Sequence, residues 1–358
     1  MSGLALVPAL RNALAGSGDA IFAGPPDAPL PPTVPQRVSL VVQSSGSTGR
    51  PKRVELSSDA LLASAAAAET FLGSPGQWLL ALPTSYIAGL NVIVRSIAAD
   101  TELVTIDDGP FTAASFLEAA GRMTESVRFT SLVPAQLARI LEVDAAAAAL
   151  ARFDRVLLGG QAAPAALLAR AVERGIRVTR TYGASETSGG CIYDGSPVGA
   201  TTVRITDGQV EIAGPTLAEG YLLDPERSDA AFYLNDGTRW YRTGDHGTLE
   251  DGVLTITGRL DDVIISGGVK VSLAEVEAAV ASIPGLAGAV VVRASSEEWG
   301  EVPVVVTTAA ADLYAVRAWV AQRLGAAAAP AAIEVVDAIP LLDSGKPDRA
   351  GLAARLAR

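Results

Sequence analysis

Between residues 39 and 182 short β-branched runs alternate with Ala-rich stretches, and this alternation limits the fold more than any other feature of the chain. The apolar runs are VSLVV (39–42 and flanks), WLLAL (78–82), RFTSLV (128–133), RVLLG (155–159) and RVTRTY (177–182). Helical patterns lie between them near 58–72, 89–98, 112–123, 134–142 and 163–174. Strand–helix alternation of this kind predicts a mostly parallel sheet with helices on both faces. The Ala tracts at 145–149 and 326–329 fit helices or helix ends. From about residue 197 the texture changes to short strands and Gly turns, as in VEIAGP, RWYRTGDHG and LEDGVLTITGRLDD. That predicts an antiparallel or barrel-like section. A smaller unit follows, with helices expected at 272–282 and 311–324 and strands at 288–293, 302–307 and 332–337. The expected fold class is α/β, with a large N-terminal domain (1–260) and a small α+β C-terminal domain (261–358). Residues 24–35, GPPDAPLPPTVP, read as an extended Pro-rich connector.

A chain of 358 residues is long enough for about two domains. It carries 28 basic and 39 acidic side chains, a formal charge of −11, and has no basic block. Nucleic acid and anionic membranes are therefore poor partners, and any positive charge offered to an anionic substrate must be local. A single Cys, Cys191, rules out an internal disulfide, and a single His, His246, rules out a His-rich metal site. His246 sits in the turn-like RTGDHG and reads as a surface or packing residue. The N-terminal MSGLALVPALRNALAG lacks a basic start and is interrupted by Pro8, unlike a signal peptide. No apolar run approaches the ~20 residues of a membrane helix. The expectation is a soluble cytoplasmic protein.

The stretch 43-QSSGSTGRPKRVELS-57 gathers hydroxyls (Ser44, Ser45, Ser47, Thr48), glycines (Gly46, Gly49) and one cation (Lys52) between two apolar segments. Glycines let backbone N–H groups approach an anion, so the stretch suits a pyrophosphate or triphosphate. Its glycine spacing is not that of the common nucleotide loop with Lys and Ser or Thr after the second glycine. Ser57, Ser58 and Asp59 are candidate caps for the helix that follows. Further on, 181-TYGASETSGG-190 places one carboxylate, Glu186, among hydroxyls, a reasonable Mg²⁺ ligand beside a phosphate loop. Asp245 in YRTGDHG and Arg259 in GRLDD are a carboxylate and a guanidinium that can together hold a ribose diol. Lys346 sits in SGKPDR, on a Gly/Pro-flanked loop near the C-terminus.

Five blocks in order (SSGSTGRPK, TYGASET, YRTGD, GRLDDVIISGG and GKPDR) resemble the acyl-adenylate-forming superfamily, over residues 39 to 350. The resemblance implies that ATP and a carboxylate give an acyl-adenylate, from which CoA displaces AMP. It implies ATP, Mg²⁺ and CoA as the cofactors. By position, residues 44–52 would hold the β- and γ-phosphates, and Thr48 and Glu186 would place Mg²⁺. Gly160, Gln161 and Ala162 with Thr181, Tyr182 and Gly183 would form the adenine slot. Asp245 and Arg259 would hold the ribose and Asp261 would be the hinge. Lys346 would bridge carboxylate and α-phosphate, and Gly267, Gly268 and Lys270 would line the CoA channel.

Three segments look like the o-succinylbenzoate–CoA ligases of menaquinone synthesis in compact form: LPTSYIAGLNVIVRS, TSLVPAQLARIL and YGASETSGGCIYDGSPV. An aromatic dicarboxylate would need an apolar slot and a second anchor. Arg95 is the candidate anchor, followed by Ser188 and Tyr86, with Gly189 and Gly190 leaving room for the ring. Two positions depart from the usual pattern: Tyr86 replaces a His, and Ala184 stands where Met is common. Two other readings stay open. One is an adenylating enzyme that loads a carrier protein or activates a different acid. The other is a non-catalytic nucleotide or acyl-CoA binding protein. Relatives are often homodimers.

Overall fold

The computed structural model describes residues 3–24, 30–44, 51–106, 109–342 and 347–356. Its contacts divide the chain into two compact units. The first comprises Met1–Arg204, Glu211–Thr243 and Glu250–Leu254, and the second Ile205–Val210, Gly244–Leu249 and Thr255–Arg358.

The first unit opens with helix α1 (Gly3–Leu14), whose buried face is Leu6, Leu10, Ala13 and Leu14. Those positions follow the helical period. Pro8 withdraws one N–H, but the carbonyl it would have met belongs to the exposed Leu4. Strands β1 (Ile21–Ala23), β2 (Val38–Ser44) and β3 (Lys52–Ser57) follow. β1 pairs parallel to β2, and β2 and β3 form an antiparallel hairpin with Ser44 opposite Lys52. The sequence reading ran the phosphate loop directly into a helix. The structure instead inserts β3, because Val54 and Leu56 alternate inward in KRVELS. The expected cap is present one strand later: Ser57 Oγ accepts from Ala60 N (3.4 Å) at the start of α2 (Ser58–Leu72).

Next come β4 (Gln77–Leu80), α3 (Ile87–Ala98), β5 (Val104–Thr105), α4 (Ala113–Gly121) and β6 (Arg128–Leu132). Then α5 (Pro134–Leu141), α6 (Asp144–Leu150), β7 (Arg155–Leu158), α7 (Ala165–Glu173) and β8 (Val178–Ala184) complete the alternation. Strands β9 (Gly189–Tyr193) and β10 (Ser196–Pro197) turn back from it. Among the described residues these strands form one sheet of seven, ordered β10-β9-β8-β7-β6-β4-β5. Neighbours from β5 to β8 run parallel, while β9 and β10 are antiparallel additions. Both faces are buried, as a parallel sheet requires. Leu79, Leu132, Val156 and Leu158 pack with Phe116, Leu137, Ile140 and Phe153 of the α4–α7 side. Trp78, one residue from Leu79, faces the other way and meets Arg95 of α3.

Beyond β10 lie β11 (Thr202–Thr206), β12 (Gln209–Ala213), β13 (Gly220–Tyr221), α8 (Pro225–Ala231), β14 (Phe232–Asn235), β15 (Thr238–Glu250) and β16 (Val253–Arg259). The short β13 joins the edge of the hairpin sheet, with Tyr221 opposite Val54. The others form a sheet ordered β11-β12-β15-β14, with β16 beside β15, in the region expected to be barrel-like.

The second unit adds β17 (Val263–Ser266), β18 (Val269–Ser272), α9 (Leu273–Ala281), β19 (Val290–Ser296), β20 (Gly300–Thr307), α10 (Leu313–Leu324), β21 (Ala332–Val335) and α11 (Arg349–Leu356). Its sheet runs β18-β17-β20-β19, with β21 parallel to β20. Val291 and Val305 face α9 and α10 through Val276, Val280, Val316 and Val320. The alternate residues Val290, Val292, Val304 and Val306 face Leu352 of α11. Among the described residues no helix is long and apolar enough to cross a membrane.

Candidate active site

The parallel strands β4, β6, β7 and β8 end at one edge, where ligands of open α/β sheets bind. Gly160, Gln161 and Ala162 follow the end of β7, and Thr181, Tyr182 and Gly183 form the end of its neighbour β8. The two halves of the expected adenine slot are thus brought to adjacent strands. Thr181 Oγ1 donates to Leu158 O (3.3 Å), tying them together. Gly183 is confined: a Cβ there would lie 2.0 Å from Gly189 O. Gly160 has a positive φ of 86°.

Directly after β8, a 3₁₀ turn (Ser185–Thr187) presents Glu186, buried at 6% exposure. Its backbone carbonyl accepts from Ala218 N (2.8 Å). Tyr221 of β13 donates its hydroxyl to Glu186 Oε1 (2.8 Å). Lys52 Nζ donates to Tyr221 Oη (3.4 Å) and lies 3.7 Å from the same Oε1. Burial, and then the Glu186 charge beside it, pushes the Tyr221 phenol above its ordinary range, so it remains a donor. The sequence reading selected Lys52 and Glu186 separately but missed Tyr221. The available signal was an aromatic in the Gly-flanked GPTLAEGYL, but only pairing with β3 brings it to the carboxylate. Ser45, Gly46, Ser47, Thr48 and Gly49 lie outside the described residues, as does the side chain of Ser44.

The turn after Glu186 is clamped from three sides. Ser188 adopts a left-handed φ of 51°, and its carbonyl accepts from Asn91 Nδ2 (2.7 Å) and Ser64 Oγ (3.0 Å). Its own hydroxyl donates to Thr216 O (2.8 Å). Ser188 is fully buried with that hydroxyl engaged, and Asn91 is a further residue the sequence reading did not name. A Cβ on Gly189 would strike Asn91 Nδ2 at 2.2 Å. One turn beyond Asn91, Arg95 is buried rather than on the helix surface, 5.1 Å from the Trp78 ring centroid. Its Nη2 donates to Tyr193 Oη (3.2 Å), while the buried Nε has no hydrogen-bond partner among the described residues. Tyr86 stands at the start of α3, half-buried, and Gly190 lies within β9.

In the second unit, Arg259 Nη1 donates to Asp245 Oδ1 (3.1 Å) and Nε donates to Asp261 Oδ1 (2.7 Å). The pair expected at a ribose is therefore in direct contact. Burial works against the Arg259 charge, but the bond to Asp261 and the field of Asp245 raise its pKa above the usual arginine value. Arg293 Nη2 donates to the Asp261 carbonyl. His246 Nδ1 lies 2.9 Å from Gly208 O. Gly267 and Gly268 form the two-residue turn between β17 and β18 with φ values of 56° and 80°, as such turns require. Lys270 is exposed on β18. Lys346 lies outside the described residues.

The family profile of the AMP-binding enzymes matches residues 7–228, and that of the AMP-binding enzyme C-terminal domain matches residues 275–346. The chain belongs to the AMP-binding enzyme family. This AMP-binding enzyme is 41% identical to a probable 2-succinylbenzoate–CoA ligase of Mycobacterium tuberculosis, over 98% of its own length and 95% of the relative's. It is 32% identical to the 2-succinylbenzoate–CoA ligase of Escherichia coli over 81% of its length, but spans only 63% of that protein. Among solved structures, the o-succinylbenzoate CoA synthetase of Bacillus subtilis with an acyl-adenylate intermediate superposes with a TM-score of 0.75. The identity is 28%, covering 88% of this chain and 69% of the other. An amide bond synthetase of Marinactinospora thermotolerans gives a TM-score of 0.79 at 27% identity, covering 96% and 76%.

Proposed function

We propose that this AMP-binding enzyme is an AMP-forming carboxylate–CoA ligase that activates o-succinylbenzoate as its acyl-adenylate and transfers the acyl group to CoA. The observation that carries the reading is the 41% identity to a probable 2-succinylbenzoate–CoA ligase across nearly the full length of both chains. Two anions, a carboxylate and a triphosphate, must meet, so fixed positive charge has to stand where they approach. A preorganised donor of this kind is worth roughly 3–4 kcal/mol.

In this reading the β2–β3 loop holds the β- and γ-phosphates with Lys52, and Glu186 and Thr48 receive Mg²⁺. Among the described residues no three His, Cys, Asp or Glu side chains gather as a metal cage. One buried carboxylate nevertheless suits Mg²⁺, which completes its shell with water and substrate phosphates. When bound, the ion neutralises phosphate charge and orients the leaving pyrophosphate. The glycine-rich ends of β7 and β8 receive adenine, and Asp245 with Arg259 the ribose. Lys346 supplies charge for adenylation. Gly267, Gly268 and Lys270 serve CoA, and Asp261 is the hinge between residues 1–260 and 261–358. In the same reading Arg95 anchors the second carboxylate; its buried guanidinium stands over the Trp78 ring with Nη2 donating to Tyr193 Oη. Tyr86, Gly189 and Gly190 would leave room for the ring, with Ser188 shaping the wall rather than donating. A cytoplasmic homodimer completes the proposal.

The test is a panel of carboxylic acids in a pyrophosphate-release assay with CoA present, run on the native chain and on Arg95→Ala. The expected outcome is fastest turnover on o-succinylbenzoate, with a KM rise of about tenfold in Arg95→Ala for that dicarboxylate and little change for ATP. No turnover of o-succinylbenzoate by the native chain removes the substrate. A KM rise shared by monocarboxylates removes Arg95 as anchor.

A further inference from the structure

Glu186 is a buried carboxylate, and a buried charge without a partner is costly. Two groups satisfy it here, and both reach the same oxygen. Tyr221 Oη donates to Oε1 at 2.8 Å, and Lys52 Nζ stands 3.7 Å from that atom. Among the described residues neither partner meets the second oxygen, Oε2. Tyr221 itself has little freedom. Its backbone pairs with Val54, its N–H donates to Ser228 Oγ (2.8 Å), and its ring lies 5.9 Å from that of Phe232. Lys52 is held less firmly: its side chain is 26% exposed and it stands at the mouth of the β2–β3 hairpin. Among the described residues it also meets the Tyr221 hydroxyl at 3.4 Å and the Tyr221 ring, 5.1 Å from the centroid.

We propose that Tyr221 is a positioning residue that fixes the Glu186 carboxylate with one oxygen turned to the cation of the nucleotide complex, and that the Lys52 ammonium neutralises Glu186 until that cation arrives. The inference rests on the adenylation reading above. It follows from unequal restraint: the phenol is fixed by its strand pairing and ring packing, whereas the ammonium is on a flexible stem. A divalent cation at Oε2 makes the Lys52–Glu186 pairing redundant. The ammonium is then released towards the phosphates that the cation brings, so the site never carries an unpaired buried carboxylate.

Two direct binding measurements test this without acyl substrate or turnover. The first is an electron paramagnetic resonance titration of Mn²⁺ into full-length enzyme saturated with an ATP analogue bridged by methylene between the α- and β-phosphorus. Tyr221→Phe should weaken Mn²⁺ about tenfold, the scale of a lost hydrogen bond to a charged group, while metal-free affinity for the analogue changes less than about twofold. Unchanged Mn²⁺ affinity, or parallel losses in both affinities, overturns the positioning role. The second uses Lys52→Met, at a partly exposed side chain, and Mn²⁺ alone. With no competing ammonium, Mn²⁺ should bind severalfold tighter than to the native chain. Equal or weaker binding overturns the placeholder role, whether or not Tyr221→Phe folds. Failure of the native chain on o-succinylbenzoate would sink the substrate assignment and leave both titrations standing.

Discussion

At the scale of single residues, Gly183 shows how closely the turn around Glu186 is built. It ends β8, and its Cα faces the backbone of β9 so directly that a Cβ would lie 2.0 Å from Gly189 O and 2.7 Å from Gly189 C. Backbone cannot swing aside as a side chain can, so the strands would have to separate. Gly183→Ala is therefore expected to destabilise the first unit by about 2 kcal/mol, within the range for overpacking a tight site. It should also lower nucleotide affinity. Gly237→Ala is the control: nothing lies within 4 Å of its Cβ, and its φ of 76° brings backbone strain without collision. Denaturant unfolding of the two variants checks the difference, and equal losses would show that the β8–β9 approach is not the cause. The family resemblance of TYGASET placed Gly183 in the adenine slot, but its close contact is with β9 and has no mark in the sequence. The same holds for Tyr221 and Asn91. Each reaches the Glu186 turn through an element distant in sequence, and neither sits in a motif that names its chemistry.

At the scale of elements, the parallel β–α alternation was legible because strands such as β4 and β7 are largely apolar runs and helices such as α2 and α4 begin on a hydroxyl cap. Helix α2 matches its expected span of 58–72, with Ser57 as cap and Gly73 left-handed at its end. What was not legible was short or atypical. Strand β3 follows the polar loop without a break, and α1 holds its apolar period around an internal proline. Helix α11 was also missed, and its placement depends on a charge pair. Arg349 donates through Nη1 and Nη2 to the Glu277 carboxylate (2.7 and 2.8 Å) and through Nη1 to Val291 O (2.9 Å), linking α11 to α9 and β19. Arg349 keeps its proton more firmly than a free arginine: burial opposes the charge, but the bonds to Glu277 outweigh it. The side chains are 39% and 25% exposed, so the pair is partly screened. Arg349→Met is expected to destabilise the second unit by about 1–2 kcal/mol, less than a fully buried pair would show. Hydrogen exchange should report faster opening of α11, with α10 unchanged. Unaltered exchange at Leu352 would mean that the apolar face of α11 alone, through Leu352 and its valine neighbours, holds the helix.

At the scale of the whole chain, the order of the charged motifs carried more function than the fold did. A doubly flanked parallel sheet hosts many chemistries, whereas a phosphate loop, a carboxylate among hydroxyls, an Asp–Arg pair and a late lysine in one order suit few. The structure brings two of these sets together: Lys52 with Glu186 in the first unit, and Asp245 with Arg259 in the second. The last charge, Lys346, lies outside the described residues. The two half-reactions make unequal demands on it. Adenylation must bring a carboxylate onto a phosphate of like charge, which needs a cation between them. Thioester formation expels AMP from an already neutralised acyl carbon and needs no such cation. Lys346→Ala should therefore lower ATP–pyrophosphate exchange by roughly 10²–10³, the loss seen when one key charge-stabilising donor is removed. Transfer of preformed acyl-adenylate to CoA should change by only about threefold or less. Measured side by side on one preparation, equal losses in the two assays would remove Lys346 from the adenylation step and assign the late motif a structural role.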